Sequence, residues 1–386
     1  MAGVYIHIPF CKQLCSYCDF YFSVSLERKN EIMNALLLEM DLRKNESLSV
    51  QKPDVENKHY PTLYFGGGTP SVYSPEELKI LADKAICLFL PDGVVEFTVE
   101  VNPDDLTPEY LKGLRNIGVN RLSIGIQSFI DRDLEWMKRR HTAKQAIESV
   151  KNAQKTGFDN ISIDLIYGIP GMSLSEWEYN IHEALKLNVQ HLSAYHLTIE
   201  PQTILGRQQK RGLIKPIDDE LSEEQYNLLE KLTTDAGFTH YEISNFAKEG
   251  YVSKHNSSYW QQQPYIGIGP SAHSYNGNDL RKWNIANNKK YIDAITTGEV
   301  YYEEEHLSLY DLYNEFILTS LRTSKGLDAE SGIKDKFGNK FHDYFIQQVK
   351  PFLLGGYIET SHNRAWIPSK YFLISDSIIN QLIYVE

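Results

Sequence analysis

A chain of 386 residues, 42% hydrophobic and 12% aromatic, is long enough for one large domain and a smaller one and can bury a full core. Its formal net charge of −12 argues against a general nucleic-acid binder, and no run of about 18 apolar residues offers a membrane span. The start, Met-Ala-Gly-Val-Tyr, lacks the basic and apolar regions of a signal peptide, so a cytoplasmic protein is expected.

A β-rich run at 4–8 leads straight into "PFCKQLCSYC". Three of the four cysteines, Cys11, Cys15 and Cys18, fall within eight positions there. Further β-rich runs at 62–65, 96–101, 121–126, 161–166 and 191–197 alternate with amphipathic stretches. Ser74-Pro75-Glu76-Glu77 sets a capping serine, a proline at the first helical position and a glutamate at the third. Thr142 with Gln145, Ser173 with Glu176, and Ser222 with Gln225 repeat that spacing. Cys87, inside "ILADKAICLFL", reads as a small buried hydrophobe. Six strand–helix units in series predict an α/β protein with a parallel sheet, its short, evenly apolar strands covered on both faces. A partly closed barrel and an open doubly wound sheet both fit. The first βα loop carries cysteines instead of G-x-G-x-x-G, which weakens the dinucleotide-binding alternative.

After about Gly237 the pattern fades, and 238–300, rich in Asn, Gln, Gly, Tyr and Ser, reads as loop-like. A separate unit begins at Tyr301, with helical patterns near 308–322 and 340–353. A hairpin in "GGYIETSHNRAWIPSKY" and a short helix in "SDSIINQLI" complete a small helical or winged-helix-like domain. It is not basic, which speaks against DNA binding.

The spacing C-x3-C-x2-C gathers three thiolates on one loop. They can hold three irons of a cubane cluster and leave the fourth open to a small molecule. Zinc is the alternative and needs a fourth ligand such as His7, on the preceding strand. Gly66-Gly67-Gly68-Thr69-Pro70 follows the second strand; its glycines let a ligand approach the backbone, although a plain tight turn uses them equally well. A phosphate loop would end in Gly-Lys-Ser/Thr, which is missing. Glu100, Gln127 and Asp164 fall at or near the C-terminal ends of strands, the rim that carries chemistry in parallel barrels. Arg139, next to Arg140, is placed to pair with a carboxylate. Tyr5 precedes the cysteine loop and Tyr17 lies within it.

The C-x3-C-x-aromatic-C loop resembles that of the radical S-adenosylmethionine (SAM) superfamily. Together with "YIHIPFC", "YFGGGTPS", "EVNP", "RLSIGIQSF", "DLIYGIPG" and "GIGPSAHSY", it makes nearly the whole chain resemble the oxygen-independent coproporphyrinogen III oxidase family, and within it a heme chaperone branch. The resemblance implies a partial parallel (βα)6 TIM-like barrel over 1–237, a connecting segment over 238–300 and a C-terminal accessory domain over 301–386. It implies a [4Fe–4S] cluster on Cys11, Cys15 and Cys18, with SAM chelating the open iron and cleaved reductively to a 5′-deoxyadenosyl radical. The SAM contacts it implies are Tyr5, Tyr17, Gly67, Gly68, Thr69, Glu100, Gln127, Arg139 and Asp164.

The decarboxylating oxidases carry a further cysteine two places after the third, where this sequence has Phe20, and an N-terminal extension, where this chain starts ten residues before Cys11. Both departures put coproporphyrinogen decarboxylation in doubt and leave enzymatic activity open. "HNSSYW" at 255–260 resembles the chaperone branch's heme-associated signature. It implies His255 as an axial heme ligand, with Tyr259 and Trp260 covering the porphyrin; His273 is a second candidate, and His141 and His196 rank below it. The implied cofactors are the cluster, SAM and heme. The implied partners are heme acceptors, respiratory proteins among them, and a reductant such as flavodoxin or ferredoxin; a homodimer is compatible. Two other functions stay open: an oxidase making protoporphyrinogen IX, and a cluster-based redox sensor or interaction protein.

Overall fold

The computed structural model describes residues 3–46, 61–215 and 217–385. Its first half is β1 (Gly3–Ile8), α1 (Lys29–Leu42), β2 (Thr62–Gly67), α2 (Pro75–Phe89), β3 (Glu96–Val101), α3 (Pro108–Asn116), β4 (Arg121–Gln127), α4 (Asp131–Trp136), α5 (Ala143–Lys155), β5 (Ile161–Tyr167), α6 (Leu174–Lys186) and β6 (His191–His196). The six strands run parallel and lie side by side in chain order. A doubly wound sheet reverses its strand order at a switch point, and this one does not. The architecture is therefore the partial, TIM-like barrel.

The strands are not evenly apolar, as the sequence had suggested. Val4, Ile6 and Ile8 alternate with Tyr5 and His7, and Ile161, Ile163 and Leu165 alternate with Ser162 and Asp164. Period-two alternation sends the apolar set to the helical layer and the polar set to the barrel interior. Contacts across neighbouring strands show the shared inner face: the Tyr64 hydroxyl donates to Glu100 at 2.7 Å, and Ser162 Oγ lies 2.7 Å from His191 Nδ1. A hydrocarbon core on one side and a hydrogen-bonding chamber on the other need different side chains from the same strand.

Capping boxes start α2, α5 and α6 at Ser74, Thr142 and Ser173. The fourth such signal misleads. Asp218 caps that helix four residues before Ser222, and Asp219 and Glu220 fill its first turn, so the helix starts earlier. Ser222 and Gln225 are buried inside it instead, where Gln225 accepts from the Gly168 backbone at 2.9 Å. Cys87 is exposed, contrary to expectation. It falls off the stripe of α2 formed by Leu78, Leu81, Ala82, Ala85 and Phe89.

The segment after Gly237 folds into more structure than its composition suggested. It follows α7 (Ile204–Lys210) and α8 (Asp219–Asp235) with β7 (Thr239–Glu242), β8 (Asn245–Ala247), α9 (Lys254–Trp260), β9 (Tyr265–Ile268), β10 (His273–Tyr275), β11 (Leu280–Asn284), α10 (Asn288–Thr297) and β12 (Tyr302–His306). β8 and β7 extend the sheet antiparallel beyond β6. At the other edge β9 pairs parallel with β1, and β10 to β12 follow antiparallel. These strands have three to five residues each, too short for a periodic signal. The C-terminal unit holds α11 (Leu309–Leu321), β13 (Leu327–Asp328), α12 (Asp335–Phe337), α13 (Asn339–Leu354), β14 (Glu359–Ser361), β15 (Arg364–Trp366) and α14 (Ser375–Asn380). Its small sheet runs β13-β15-β14, and Phe316, Phe341, Phe345 and Phe372 fill its core. Among the described residues no helix is long and apolar enough to cross a membrane.

One buried pair, Glu39 on α1 and Arg43 at its C-terminal cap, binds the β9 edge to the barrel. Glu39 accepts from the Gly269 backbone at 2.7 Å, Asn284 Nδ2 at 2.8 Å, the Tyr291 hydroxyl at 2.5 Å and Arg43 Nη1 at 3.2 Å. Arg43 also donates to the Gly267 carbonyl at 2.6 Å, Ser274 Oγ at 3.0 Å and Glu46 at 2.8 Å. Burial pushes the Glu39 carboxyl upward, and Arg43 and its hydrogen bonds oppose that push. Arg43→Met should therefore destabilise the protein by about 3–5 kcal/mol in urea denaturation, because it strands a buried charge. Adding Glu39→Gln should recover part of the loss; a larger loss in the double variant would refute this account.

Candidate functional site

The cysteine loop leaves the C-terminal end of β1 and is pinned at several points. The Cys11 amide donates to the Ser23 carbonyl at 3.0 Å, and the Ser23 amide to the Pro9 carbonyl at 2.9 Å. Ser16 ties the loop to Met137 and Leu205 through backbone hydrogen bonds of 3.1 and 3.0 Å. The Tyr21 hydroxyl donates to Asn288 Oδ1 at 3.0 Å, at the start of α10. All three loop thiols are free and half-buried, and they line one cavity of about 450 Å³ at the barrel mouth.

The chemistry of this donor set fits a polynuclear cluster better than a single ion. Among the described residues no three His, Cys, Asp or Glu side chains converge as a one-metal site requires. His7 does not complete a zinc site, because both its nitrogens are engaged: Nδ1 lies 3.2 Å from the Tyr5 hydroxyl and Nε2 2.9 Å from the Tyr21 carbonyl. One thiolate for each of three irons requires no such convergence. Burial pushes the Cys11 thiol up to about 12 and Cys18 up to about 11, so metal binding must displace protons. Two donors already face the sulfurs: the Thr69 hydroxyl reaches Cys11 Sγ and Arg139 Nη1 reaches Cys15 Sγ, each at 3.4 Å.

The same cavity gathers nearly all the residues expected to contact SAM: Tyr17, Gly67, Gly68, Thr69, Glu100, Gln127, Arg139 and Asp164. The glycines are required where they stand. Gly67 has φ +111°, and a Cβ on Gly68 would sit 2.5 Å from the Phe10 carbonyl oxygen. Gln127 ends β4 at φ +71°, beside a register shift against β5, a strained conformation for a non-glycine residue. Asp164 sits in mid-strand on β5, deeper than a rim position. Burial raises Glu100 to about 7 and Asp164 to about 6, so both are poised near neutrality. Among the described residues no protein carboxylate pairs with Arg139. It donates to Cys15, to Asn102 Oδ1 at 2.5 Å and to the Gly125 carbonyl at 2.8 Å, while its neighbour Arg140 pairs with Asp104 at 2.7 Å. Among the described residues Arg139 Nε is buried without a partner, an unused donor suited to an anionic ligand. The sequence reading missed Arg121, whose buried cation faces both Glu100 and Asp164. A charged residue heading the otherwise apolar "RLSIGIQ" was the available signal.

Tyr5 and His255 lie elsewhere. Tyr5 lines a second cavity of about 510 Å³ between the inner face of β1 and β9–β11 and helices α9 and α11. His255 is buried near Gly3 and Thr62, at the strand ends opposite the cysteine loop. Its Nδ1 lies 2.7 Å from Thr62 Oγ1 and its Nε2 2.7 Å from the Tyr259 hydroxyl, with its ring stacked on Tyr64 at 4.8 Å. With both nitrogens engaged, it presents none to an iron. Tyr259 and Trp260 line the second cavity, as does His273. His196 lines the first cavity but bonds Ser222, and His141 is buried against the Ile126 carbonyl.

Comparison with known proteins places this geometry. Residues 5–184 match the family model for the radical SAM superfamily. The chain is 36% identical to the heme chaperone HemW of Bacillus subtilis, with 99% of each covered, and 32% identical to HemW of Lactococcus lactis, over 99% of this chain and 97% of the relative. In fold it is similar to the coproporphyrinogen III oxidase HemN of Escherichia coli, a radical SAM enzyme, with a TM-score of 0.81, 21% identity, and 99% of this chain and 90% of that one covered.

Arg139→Met should weaken SAM binding about 10- to 100-fold, the worth of a charge-assisted hydrogen bond, while cluster iron stays loaded. Titration of the reconstituted protein with SAM reads this directly, and unchanged affinity would remove Arg139 from the contact set. His255 gives a pH test. Burial first, and the Arg121 charge second, lower its pKa to about 3. Its contribution to stability is full above the unfolded value near 6.5 and is lost as pH falls towards the folded one. Between pH 6 and 4 the native chain should lose about 1.4 kcal/mol per pH unit relative to His255→Gln. A pH-independent difference in urea denaturation would contradict the buried neutral imidazole.

Proposed function

This chain belongs to the heme chaperone HemW family of the radical SAM superfamily, and from that premise we propose that it binds heme and passes it to acceptor proteins. The observation that carries the reading is the 36% identity to a heme chaperone over 99% of both chains. Superfamily membership itself implies a [4Fe–4S] cluster and SAM. Bound together, these supply one-electron chemistry at a sulfonium.

The chain's own residues do the rest. Cys11, Cys15 and Cys18 would hold three irons, with the Thr69 hydroxyl and the Arg139 guanidinium donating to their sulfurs. The Gly66–Gly68 backbone would accept from the SAM ammonium group, and Arg139 would take its carboxylate. Glu100 and Asp164 would accept from ribose hydroxyls or hold a proton, since their carboxyls sit near neutrality. Tyr17 would flank the adenine. A reductant of the flavodoxin or ferredoxin kind would supply the electron, in the cytoplasm, where the loop thiols stay reduced. Respiratory proteins are among the fitting acceptors.

The oxidase reading is the second choice. The likeness to the Escherichia coli enzyme, at 21% identity, speaks for a shared fold. Phe20 occupies the place of the oxidases' further cysteine, and its phenyl ring, 76% exposed, has no donor atom to offer a metal. The test is anaerobic reconstitution followed by hemin titration and a coproporphyrinogen assay on one sample. A saturable Soret band without CO2 release is expected. Turnover of coproporphyrinogen with SAM and reductant, or failure to bind hemin, would overturn the proposal.

A further inference from the structure

Asn102 stands at the C-terminal end of β3, at the head of the turn Pro103–Asp105, and lines the first cavity. An asparagine in that position ordinarily caps the turn by accepting from a backbone amide. Among the described residues this one makes no such cap bond. Its amide is turned instead between two side chains. Nδ2 donates to Thr69 Oγ1 at 3.1 Å, and Oδ1 accepts from Arg139 Nη2 at 2.5 Å. These are the two groups that donate to the loop sulfurs, Thr69 to Cys11 and Arg139 to Cys15.

Chemistry fixes the direction of each proton along this path. A guanidinium only donates, so the amide atom facing Arg139 is the oxygen, and the NH2 group must face Thr69. A hydroxyl that accepts from that NH2 keeps its own hydrogen for another acceptor, and Cys11 Sγ lies 3.4 Å away. Thr69 is buried, which limits competition from water for that hydrogen. The turn beneath Asn102 is itself tied down. Asp105 accepts from Lys12 in the cysteine loop at 2.6 Å and from Ser71 Oγ at 2.7 Å, and Asp104 pairs with Arg140 at 2.7 Å. The amide therefore sits on a fixed support, as a group that orients others must.

Resting on the cluster assigned above to Cys11, Cys15 and Cys18, we infer that Asn102 is a positioning residue for its redox chemistry: one amide aligns a hydroxyl on the Cys11 sulfur and a guanidinium on the Cys15 sulfur. Hydrogen bonds to cluster sulfurs favour the reduced, more negative form and so raise the reduction potential. Asn102 acts on the sulfurs through these two neighbours. An aspartate in its place has no NH2 to offer. It would accept from both neighbours, and the Thr69 hydrogen would turn from sulfur to carboxylate. A nearly isosteric change thus removes one sulfur hydrogen bond and adds a negative charge.

The test is anaerobic redox titration of the reconstituted full chain, without SAM, followed by electron paramagnetic resonance. Asn102→Ala should keep native iron content and lower the reduced-to-oxidised ratio at fixed potential about tenfold, or about 59 mV for one electron. Thr69→Val, which removes the Cys11 bond alone, should lower the ratio by less, and Thr69→Ser should recover most of it. Asn102→Ala and Thr69→Val remove the same Cys11 bond. Their combination should therefore lower the ratio by less than the product of the two single effects. Asn102→Asp should lower the ratio too, and it takes the place of Asn102→Ala in that cycle if the alanine variant does not load iron. An unchanged potential in both Asn102 variants, or single effects that multiply independently, would remove Asn102 from this role and leave the cluster reading standing. If the unsubstituted chain assembles no [4Fe–4S] cluster, both fall together.

Discussion

The β9 edge, one wall of the second cavity, is held by two side chains one turn apart at the C-terminal end of α1. Glu39 and Arg43 reach across to β9, β10, β11 and α10, elements more than 200 residues away in sequence. Burying two charges costs several kcal/mol each, and Coulomb attraction alone rarely offsets it. Here the acid is met by four donors and the guanidinium by two neutral acceptors as well as two carboxylates. Such a network is directional where a hydrocarbon contact is not. It sets the position of the β9 edge against the barrel, and with it the wall that separates inside from outside.

The interior of the barrel obeys a related rule. Arg121 stands among Glu100, Asp164, Tyr64 and His191. The carboxyls are raised by burial and held down by that cation, so neither extreme wins. A chamber lined this way contributes little to stability, and the apolar faces of the same strands make up for it against the helices. The polar face is then available to grip a ligand with groups already in place, without reorganisation on binding.

The barrel was legible in the sequence because six strand–helix units repeat and three helix starts carry reciprocal caps. The cysteine loop was legible because thiols so closely spaced have few structural uses. What escaped the reading has physical causes. Ser222 and Gln225 mimic a cap because local spacing cannot reveal that Asp218 starts the helix first. Cys87 looked buried because an apolar run hides which side of the helix faces out. Strands β7 to β12 were hidden because hydrogen bonds to distant strands, not local periodicity, define them. The separation of Tyr5 and His255 from the cysteine cavity depends on which way each inner-face side chain leans, and that information is three-dimensional.

The pairing of β1 with both β2 and β9 has a consequence for biosynthesis. The first strand off the ribosome keeps one bare edge until residues 265–268 arrive. At about 5–20 residues per second that wait lasts roughly 13–50 s, with backbone amides open to any passing strand. Iron delivered to the nascent cysteines in that interval would meet a loop whose anchor at Asn288 has yet to be translated.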